Sequence, residues 1–425
     1  MRIPELVAPA GNPEKLKTAL HFGADAVYLG LKRFSMRSFA GNFDWDQLEW
    51  AIAYAHERGK RVIAVVNVQP FDPEFEELEQ TLRTLGQLKP DAVVVGDPGV
   101  LFLARRVAPH LRYHLSTQAS TTNAEAAAFW RAQGIERIVL ARELSLEHLA
   151  ALGQRAPELD VELETFVHGA MCIAFSGRCF MSLYWAGSKR DPRHGSCAQS
   201  CRWPYKTIQE TRGTKATHEI AEDERGTYFF DTRDLCAMPV LDRLVATGVH
   251  ALKIEGRTRN DYYVSTVVDV YRDALDRLAV GDVEGWRERI PFYTAELKSA
   301  CKREFSTHFL TDSQNDPNTY QPDGSPVGGA HACVGKVALV GDGYLDLRVR
   351  SVVRPGESLE LCDAGLLREA VPAGPLSRPD GELLDLARPG DVIRVFGSFK
   401  AGSEALVRRP GEDPAEEVGG CSSCG

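Results

Sequence analysis

The sequence lacks any long hydrophobic run. No stretch of its 425 residues approaches the roughly 20 consecutive apolar residues that a membrane-spanning helix requires. The first residues, MRIPE, lead into a strand-like segment and contain neither the apolar region nor the cleavage site of a secretory signal. These absences predict a cytoplasmic protein without a membrane partner.

The chain also lacks an overall excess of positive charge. Its net charge of −9 at pH 7 argues against broad, non-specific nucleic-acid binding, which depends on neutralising many phosphates. One basic island, between residues 189 and 215, departs from this balance. Its seven basic residues, which face only Asp191 and Glu210, are Lys189, Arg190, Arg193, Arg202, Lys206, Arg212 and Lys215.

The composition, with 44% hydrophobic and 26% charged residues, is typical of a globular protein. The length favours two domains of roughly 100–250 residues each. Ten cysteines in a chain without a signal peptide indicate metal ligands or redox thiols rather than disulfides, because the cytosol keeps thiols reduced.

Short β-branched segments alternate with amphipathic stretches from the first residue, which predicts parallel β/α units. The eight predicted strands are 5–8, 26–30, 61–68, 92–96, 113–117, 137–141, 161–167 and 251–254. The predicted helices include 13–22, 45–58, 75–88, 123–133 and a closing helix at 261–279. Eight such units predict a (β/α)8 TIM-like barrel over residues 1–295, since this fold takes roughly 250 residues plus insertions.

The surplus length lies in an insertion at about 169–230, which leaves the carboxyl end of strand seven, where barrels of this kind carry their catalytic groups. Short strands at 334–339, 344–349, 357–361 and 392–396 predict a small C-terminal β-barrel domain over 296–408. Residues 409–425 predict a flexible tail that ends in a CxxC pair, Cys421 and Cys424.

Four cysteines lie close together in the insertion: Cys172, Cys179, Cys197 and Cys201, with six, seventeen and three residues between them. Clustered thiolates suit zinc or an iron–sulfur cluster, and buried unligated thiols are the third reading. Only the last pair has the spacing usual in structural zinc sites. Spacing alone therefore leaves the three readings open.

Several motifs resemble the collagenase-like peptidase family U32. They are LVAPAGN at 6–12, GADAVYLG at 23–30, HGAMC at 168–172, SGRC at 176–179 and KIEGR at 253–257, and they extend over the whole predicted barrel. The segment CAQSCRWPY at 197–205 and the added β-domain resemble the tRNA hydroxylation branch of that family.

The resemblance implies a 4Fe-4S cluster, hydroxylation of the wobble uridine in the tRNA anticodon loop to 5-hydroxyuridine, and prephenate as the hydroxyl source. Cys172, Cys179 and Cys197 match the family's cluster ligands. Cys201 fits as the fourth ligand, with Cys236, at a predicted helix start, as its rival. Isolated thiols are expected at Cys301, Cys333 and Cys362, while the Cys421/Cys424 tail departs from the family pattern.

Prephenate carries two carboxylates, which guanidinium groups bind bidentately, so Arg178 and Arg257 are expected at the catalytic mouth. Glu255 belongs to the same motif, and the alternative there is a salt bridge that closes the barrel. His168, at the end of strand seven, is expected to shuttle a proton or to form a hydrogen bond with a cluster sulfur, and a structural histidine is the alternative.

Polar residues at other strand ends are candidate substrate contacts, with helix capping or local satisfaction as the alternative: Asn12, Tyr28, Asn67, Gln118 and Arg142. In the basic island, Arg202 stands beside Trp203 and Tyr205. Cations that hold phosphates and aromatic faces that stack bases are typical of single-stranded RNA contacts, while a solvated loop is the alternative.

Three other functions compete. A peptidase is disfavoured because the chain contains neither H-E-x-x-H nor G-x-S-x-G, and because a thiol protease would use only one cysteine. A quinone-hydroxylating relative would lack the added β-domain. A non-enzymatic RNA-binding protein would not explain four thiols at a catalytic face.

Overall fold

The computed structural model describes residues 2–37, 40–172, 174–175, 179, 181–186, 191, 197, 221–223, 226–228, 233–301, 303–311, 332–371 and 374–410. The chain divides into two compact units. The first comprises Met1–Tyr293 and Arg303–Val327, and the second comprises Thr294–Lys302 and Gly328–Gly425.

A closed parallel barrel forms the first unit. Strands β1–β7 and β11 pair in sequence, and β11 closes the ring by pairing with both β1 and β7. The TIM-like class predicted from sequence is therefore confirmed. The strands described in this unit are β1 Glu5–Ala10, β2 Ala26–Gly30, β3 Arg61–Val66, β4 Ala92–Val95, β5 Tyr113–Leu115, β6 Ile135–Val139, β7 Glu162–Ala170, β8 Ala221–Asp223, β9 Gly226–Tyr228, β10 Asp234–Cys236, β11 Ala251–Ile254 and β12 Phe305–Ser306.

Helices follow most of the barrel strands, and local capping fixes where several begin. The Asp44 side chain accepts a hydrogen bond from the Gln47 backbone N–H, and the Gln47 side chain accepts one from the Asp44 backbone N–H, so α2 begins with a capping box. The helices are α1 Pro13–His21, α2 Trp45–His56, α3 Phe75–Leu88, α4 Pro98–Val107, α5 Ala124–Ala132, α6 Leu146–Leu159, α7 Met181–Ala186, α8 Leu241–Ala246, α9 Asp261–Ala279, α10 Val283–Glu288 and α11 Ile290–Ala300. Among the described helices, none has both the length and the apolar character to cross a membrane.

Outside the barrel ring, β10 pairs antiparallel with β7 and parallel with β12. Cys236 therefore lies on a strand, and the helix start predicted there is wrong. The helical turn begins only at Met238, because Asp234 to Cys236 form ladder pairs with Ala170 to His168.

A charged layer crosses the barrel interior beside an apolar cluster that includes Val7, Ile63 and Val94. Arg137 forms ion pairs with Glu5, Glu162 and Glu164, and Lys253 donates to Glu164 at 2.6 Å. Glu164 and Arg137 are almost completely buried. This layer holds the Lys253 ammonium beneath the carboxyl end of the barrel.

The second unit is an antiparallel sheet around its own apolar core, with strands in the order β16-β15-β20-β13-β14-β19-β17-β18. Residues 294–302 belong to this unit, where Glu296 pairs with Arg368 and Arg408. Its strands are β13 Ala332–Gly341, β14 Tyr344–Val349, β15 Leu359–Asp363, β16 Leu367–Val371, β17 Leu376–Ser377, β18 Leu383–Leu384, β19 Val392–Phe396 and β20 Leu406–Arg409.

Candidate active site

A cavity of about 420 Å³ opens at the carboxyl ends of the barrel strands, where enzymes with this fold carry their active sites. Its lining divides by strand. All lining residues on β3 and β4 and in the segments after β3 and β5 are uncharged, and we call them the neutral sector: Val65, Asn67, Val94, Ser116, Thr117 and Gln118. The charged and thiol-bearing lining residues form the charged sector: Arg37, Arg142, Cys172, Cys179, Cys197, Lys253, Glu255, Arg257, Arg259 and Arg303.

Three cysteines from the insertion line the charged sector. Cys172 is exposed, Cys179 and Cys197 are half-buried, and none of the seven described cysteines forms a disulfide. Burial raises the pKa of the Cys179 thiol, and the negative charges of Cys172 and Cys197 raise it further against a backbone hydrogen bond at Met181. Negative charge on Cys172 or Cys197 thus opposes ionisation of Cys179.

This donor set fits a soft metal centre, because thiolates are soft ligands and a cation among the sulfurs would offset both the burial and the neighbouring negative charges that raise the Cys179 pKa. Across the described part of the chain, no three histidine, cysteine, aspartate or glutamate side chains are already close enough together to hold one metal ion. Cys201, the fourth expected ligand, lies outside the described residues. The fit to a metal centre therefore rests on the chemistry of the three sulfurs and on their position along the same cavity. The described residues do not form a complete set of metal ligands.

Glu255 is the carboxylate of the cavity lining. Its oxygens lie 3.7 Å from Arg37 Nε and 3.6 Å from an Arg142 guanidinium nitrogen. Burial alone would raise the pKa of Glu255, but Arg37, Arg142 and Arg257 together hold it below the usual value. Glu255 is therefore ionised, and it takes part in the salt bridges that the sequence left as an alternative.

Arg257 is 3% exposed, and its Nη1 donates to Ser35 Oγ at 2.7 Å. It makes no ion pair with any described carboxylate. Burial lowers the pKa of Arg257 to about 10, which still leaves the guanidinium charged at pH 7. Gly30 is required beside it, since a Cβ there would lie 2.2 Å from Arg257 Nη1. Arg257 is thus a buried cation whose charge faces the cavity.

Three other cations of the charged sector form ion pairs with buried carboxylates that do not line the cavity. Arg259 and Arg303 lie 2.7 Å and 3.6 Å from the oxygens of the buried Asp234. Lys253 pairs with Glu164, and its ammonium lies 4.1 Å from the centre of the Tyr28 ring. The expected residues Tyr28, Asn67, Gln118 and Arg142 also line this cavity.

His168 is completely buried in β7 and is not among the residues that line the cavity. Its ring contacts Tyr263, Tyr271 and Phe305, with centroid distances of 5.3 to 6.0 Å. Burial lowers the pKa of His168 to about 3, so the imidazole is neutral. This position corresponds to the structural alternative for His168 rather than to a proton shuttle at the cavity.

Two further candidates also lie away from the cavity lining. The Asn12 side chain accepts a hydrogen bond from the Lys15 backbone N–H and caps α1. Helix capping was the alternative to a substrate contact at this position. Cys236 is buried, and its sulfur lies 3.8 Å from the Tyr271 hydroxyl. The described residues therefore give Cys236 no place beside the other three thiols.

Four predicted site residues besides Cys201 lie outside the described residues: Arg178, Arg202, Trp203 and Tyr205. Conversely, sequence reasoning missed Arg37, Ser116, Lys253, Arg259 and Arg303, all of which line the cavity. Lys253 could have been found from strand alternation, since it lies two residues from Glu255 on the same face. Arg37 had no local signal, because it reaches the cavity from the long segment between β2 and α2.

Known proteins resemble this chain over most of its length. The sequence model of peptidase family U32 matches residues 11–319. The chain is 37% identical over 357 residues to the tRNA hydroxylation protein P of Haemophilus influenzae, covering 74% of this chain and 75% of that protein. It is 34% identical over 400 residues to the tRNA hydroxylation protein P of Escherichia coli, covering 84% and 86%. It is 31% identical over 366 residues to the Escherichia coli 23S rRNA 5-hydroxycytidine synthase, covering 84% of this chain and 52% of that protein.

Proposed function

Since the chain belongs to peptidase family U32, with relatives named for RNA hydroxylation, we propose that it is a tRNA-hydroxylating enzyme. Its reaction would place a hydroxyl group on carbon 5 of the wobble uridine in the anticodon loop. Prephenate would be the hydroxyl source, and an iron–sulfur cluster would be the resident cofactor.

The observation that carries this proposal is the shared cavity at the catalytic end of the barrel. Three thiols and an excess of guanidinium groups line one wall of it, and a neutral polar wall stands beside them. A hydrolytic peptidase would need one activated nucleophile and would leave two further thiols without a role.

Cys172, Cys179 and Cys197 would hold the cluster, with Cys201 as the proposed fourth ligand. Once bound, a 4Fe-4S cluster would supply redox or Lewis-acid chemistry at the cavity wall. The protein's own contribution is a low-dielectric site in which charges and hydrogen-bond donors are already oriented.

Arg257 supports the choice of a carboxylate co-substrate. Its guanidinium is buried and charged, and no carboxylate among the described residues lies within ion-pair distance of it, so an incoming carboxylate would add a direct counter-charge to the more distant one of Glu255. Glu255 meanwhile orients Arg37 and Arg142 at the same wall. A dianion such as prephenate matches this arrangement better than a neutral peptide does.

Mass spectrometry of tRNA nucleosides tests the function. Cells that lack this protein should lose 5-hydroxyuridine at the wobble position, and the wild-type gene should restore it. The variant Cys172→Ser should fail to restore it, whereas Cys333→Ser, in the second unit, should succeed. Unchanged wobble uridine hydroxylation in the deletion strain would refute the RNA proposal.

Anaerobic purification followed by optical and EPR spectroscopy tests the cofactor separately. The wild-type protein and Cys333→Ser should show the absorption and the reduced-state signal of a 4Fe-4S cluster, and Cys172→Ser should lose both. A colourless wild-type protein that contains stoichiometric zinc would refute the cluster.

A further inference from the structure

The neutral sector contains a chain of hydrogen bonds whose direction is fixed from one end. The Met36 backbone N–H can only donate, and it donates to Asn67 Oδ1 at 3.0 Å. The Asn67 amide nitrogen is thereby turned toward Ser116 Oγ, 3.5 Å away. The asparagine orientation therefore follows from a backbone donor.

Ser116 continues this chain of hydrogen bonds to Gln118. Its hydroxyl oxygen already accepts from the Asn67 amide and from the Gln118 backbone N–H, at 3.4 Å. Its proton is donated to Gln118 Oε1 at 3.1 Å. The carbonyl end of the Gln118 carboxamide is thus occupied, and no described residue accepts from its Nε2.

Gln118 is only 7% exposed, and it lines the cavity. Space for this arrangement depends on Gly96 at the end of β4, because a Cβ there would lie 2.9 Å from Gln118 Oε1. The carboxamide therefore presents its N–H donors to the uncharged side of the cavity. A donor that a bound base encloses there is costly to leave without an acceptor.

From this geometry we propose that Gln118 selects uracil over cytosine by donating a hydrogen bond to the carbonyl at carbon 4 of the target base. The inference rests on the proposed function and adds to it a residue that determines base specificity. Uracil carries an acceptor at this position, whereas cytosine carries an amino donor that would face the Gln118 donors. A neutral base fits the uncharged wall, and the dianionic co-substrate fits the arginines opposite.

Binding of two anticodon stem-loop RNAs, identical except for U or C at the wobble position, tests the proposal. The full-length, anaerobically purified protein is titrated with each RNA, and fluorescence anisotropy gives the two dissociation constants. Wild type should bind the U form about tenfold more tightly, the ratio expected when one buried donor is left without an acceptor. Gln118→Leu should remove the preference, and Gln118→Glu, which can only accept, should reverse it.

Two further variants separate specificity from folding. Gly96→Ala should reduce the preference without changing a polar group, because it displaces the carboxamide. Gln154→Glu, an exposed position on α6, introduces the same charge change outside the cavity and should retain the wild-type ratio. All variants should keep the circular dichroism spectrum and unfolding midpoint of the wild type.

The alternative is that Gln118 donates its hydrogen bond to a carbonyl oxygen of prephenate rather than to the base. Calorimetry of prephenate binding to the same proteins distinguishes the two. Loss of prephenate affinity in Gln118→Leu with an unchanged U-to-C ratio would overturn the proposal and assign Gln118 to the co-substrate. Absence of any U preference in the wild type would also overturn it. A clear, Gln118-dependent preference in a protein that forms no 5-hydroxyuridine would refute the hydroxylation and leave the base selection standing.

Discussion

Glu164 offers the sharpest test of how the barrel holds its active site. This carboxylate is 1% exposed and serves two cations, Lys253 at 2.6 Å and Arg137 at 3.3 Å. Glu164→Gln keeps the shape and one acceptor oxygen but removes the charge. Arg137 retains Glu5 and Glu162, whereas Lys253 loses the carboxylate with which it forms its ion pair.

Removing one partner of a buried pair costs about 3–5 kcal/mol, because an uncompensated charge remains in the interior. Since glutamine still accepts a hydrogen bond, we expect about 3 kcal/mol. Glu162→Gln is the matched control, because its side chain is 30% exposed and pairs with the same Arg137. There we expect less than about 1 kcal/mol.

Urea unfolding followed by tryptophan fluorescence measures both variants. All six tryptophans lie within the first unit, so the signal reports on the barrel rather than on the second unit. Equal losses of unfolding free energy in Glu164→Gln and Glu162→Gln would refute the reasoning. A loss in Glu164→Gln that is restored by the added substitution Lys253→Met would support it, since the stranded charge is then gone.

The dependence on pH gives an independent check. Burial alone would raise the pKa of Glu164, but Lys253 and Arg137 hold it below its ordinary value of 4.5. A carboxylate with a depressed folded-state pKa stabilises the fold above its unfolded value, and the contribution is lost as pH falls through the folded value. The difference between wild type and Glu164→Gln should therefore be full at pH 7 and shrink below pH 4.5.

Two other predictions concern the site. Arg257→Lys should raise the KM for prephenate about tenfold, because an ammonium cannot reproduce a bidentate guanidinium contact, whereas Arg155→Lys on the exposed face of α6 should leave the KM unchanged. An unaltered KM in Arg257→Lys would exclude Arg257 as a carboxylate ligand. Because the folded pKa of His168 is about 3 and lies below its ordinary value of 6.5, the unfolded chain takes up the proton first and stability falls as pH drops below 6.5. His168→Phe should reduce that slope by about 1.4 kcal/mol per pH unit in denaturant titrations, and an unchanged slope would show that His168 does not titrate in this way.

Local sequence patterns were sufficient to predict the barrel. The predicted bounds of β2, β11 and α9 agree with the structure because periodicity and caps are encoded in the segments themselves. The sequence pattern predicted that strand seven ends at residue 167, whereas β7 continues to Ala170. That extension depends on antiparallel pairing with β10, a contact across the insertion that no local pattern carries.

The site residues that could be predicted from the sequence are those that lie near the ends of strands. Asn67, Gln118 and Arg257 lie within three residues of strand ends and line the cavity. Asn12 and His168 have equally suggestive positions, but capping and aromatic packing take their side chains elsewhere. Arg37 enters from a distant part of a loop, so its contribution depends on tertiary structure alone.

Arg142 explains how one cavity keeps a neutral wall beside a charged one. It follows β6, whose neighbour β5 leads into Ser116 and Gln118 of the neutral sector, yet its guanidinium lies 4.0 Å from the centre of the Phe166 ring and donates to the Ala170 carbonyl at 3.1 Å. Glu255, 3.6 Å away, attracts it in the same direction. The donors of this guanidinium are thereby engaged by β7 and by Glu255. Phe166, an apolar residue on β7, thus helps to preserve the uncharged surface on which base selection would depend.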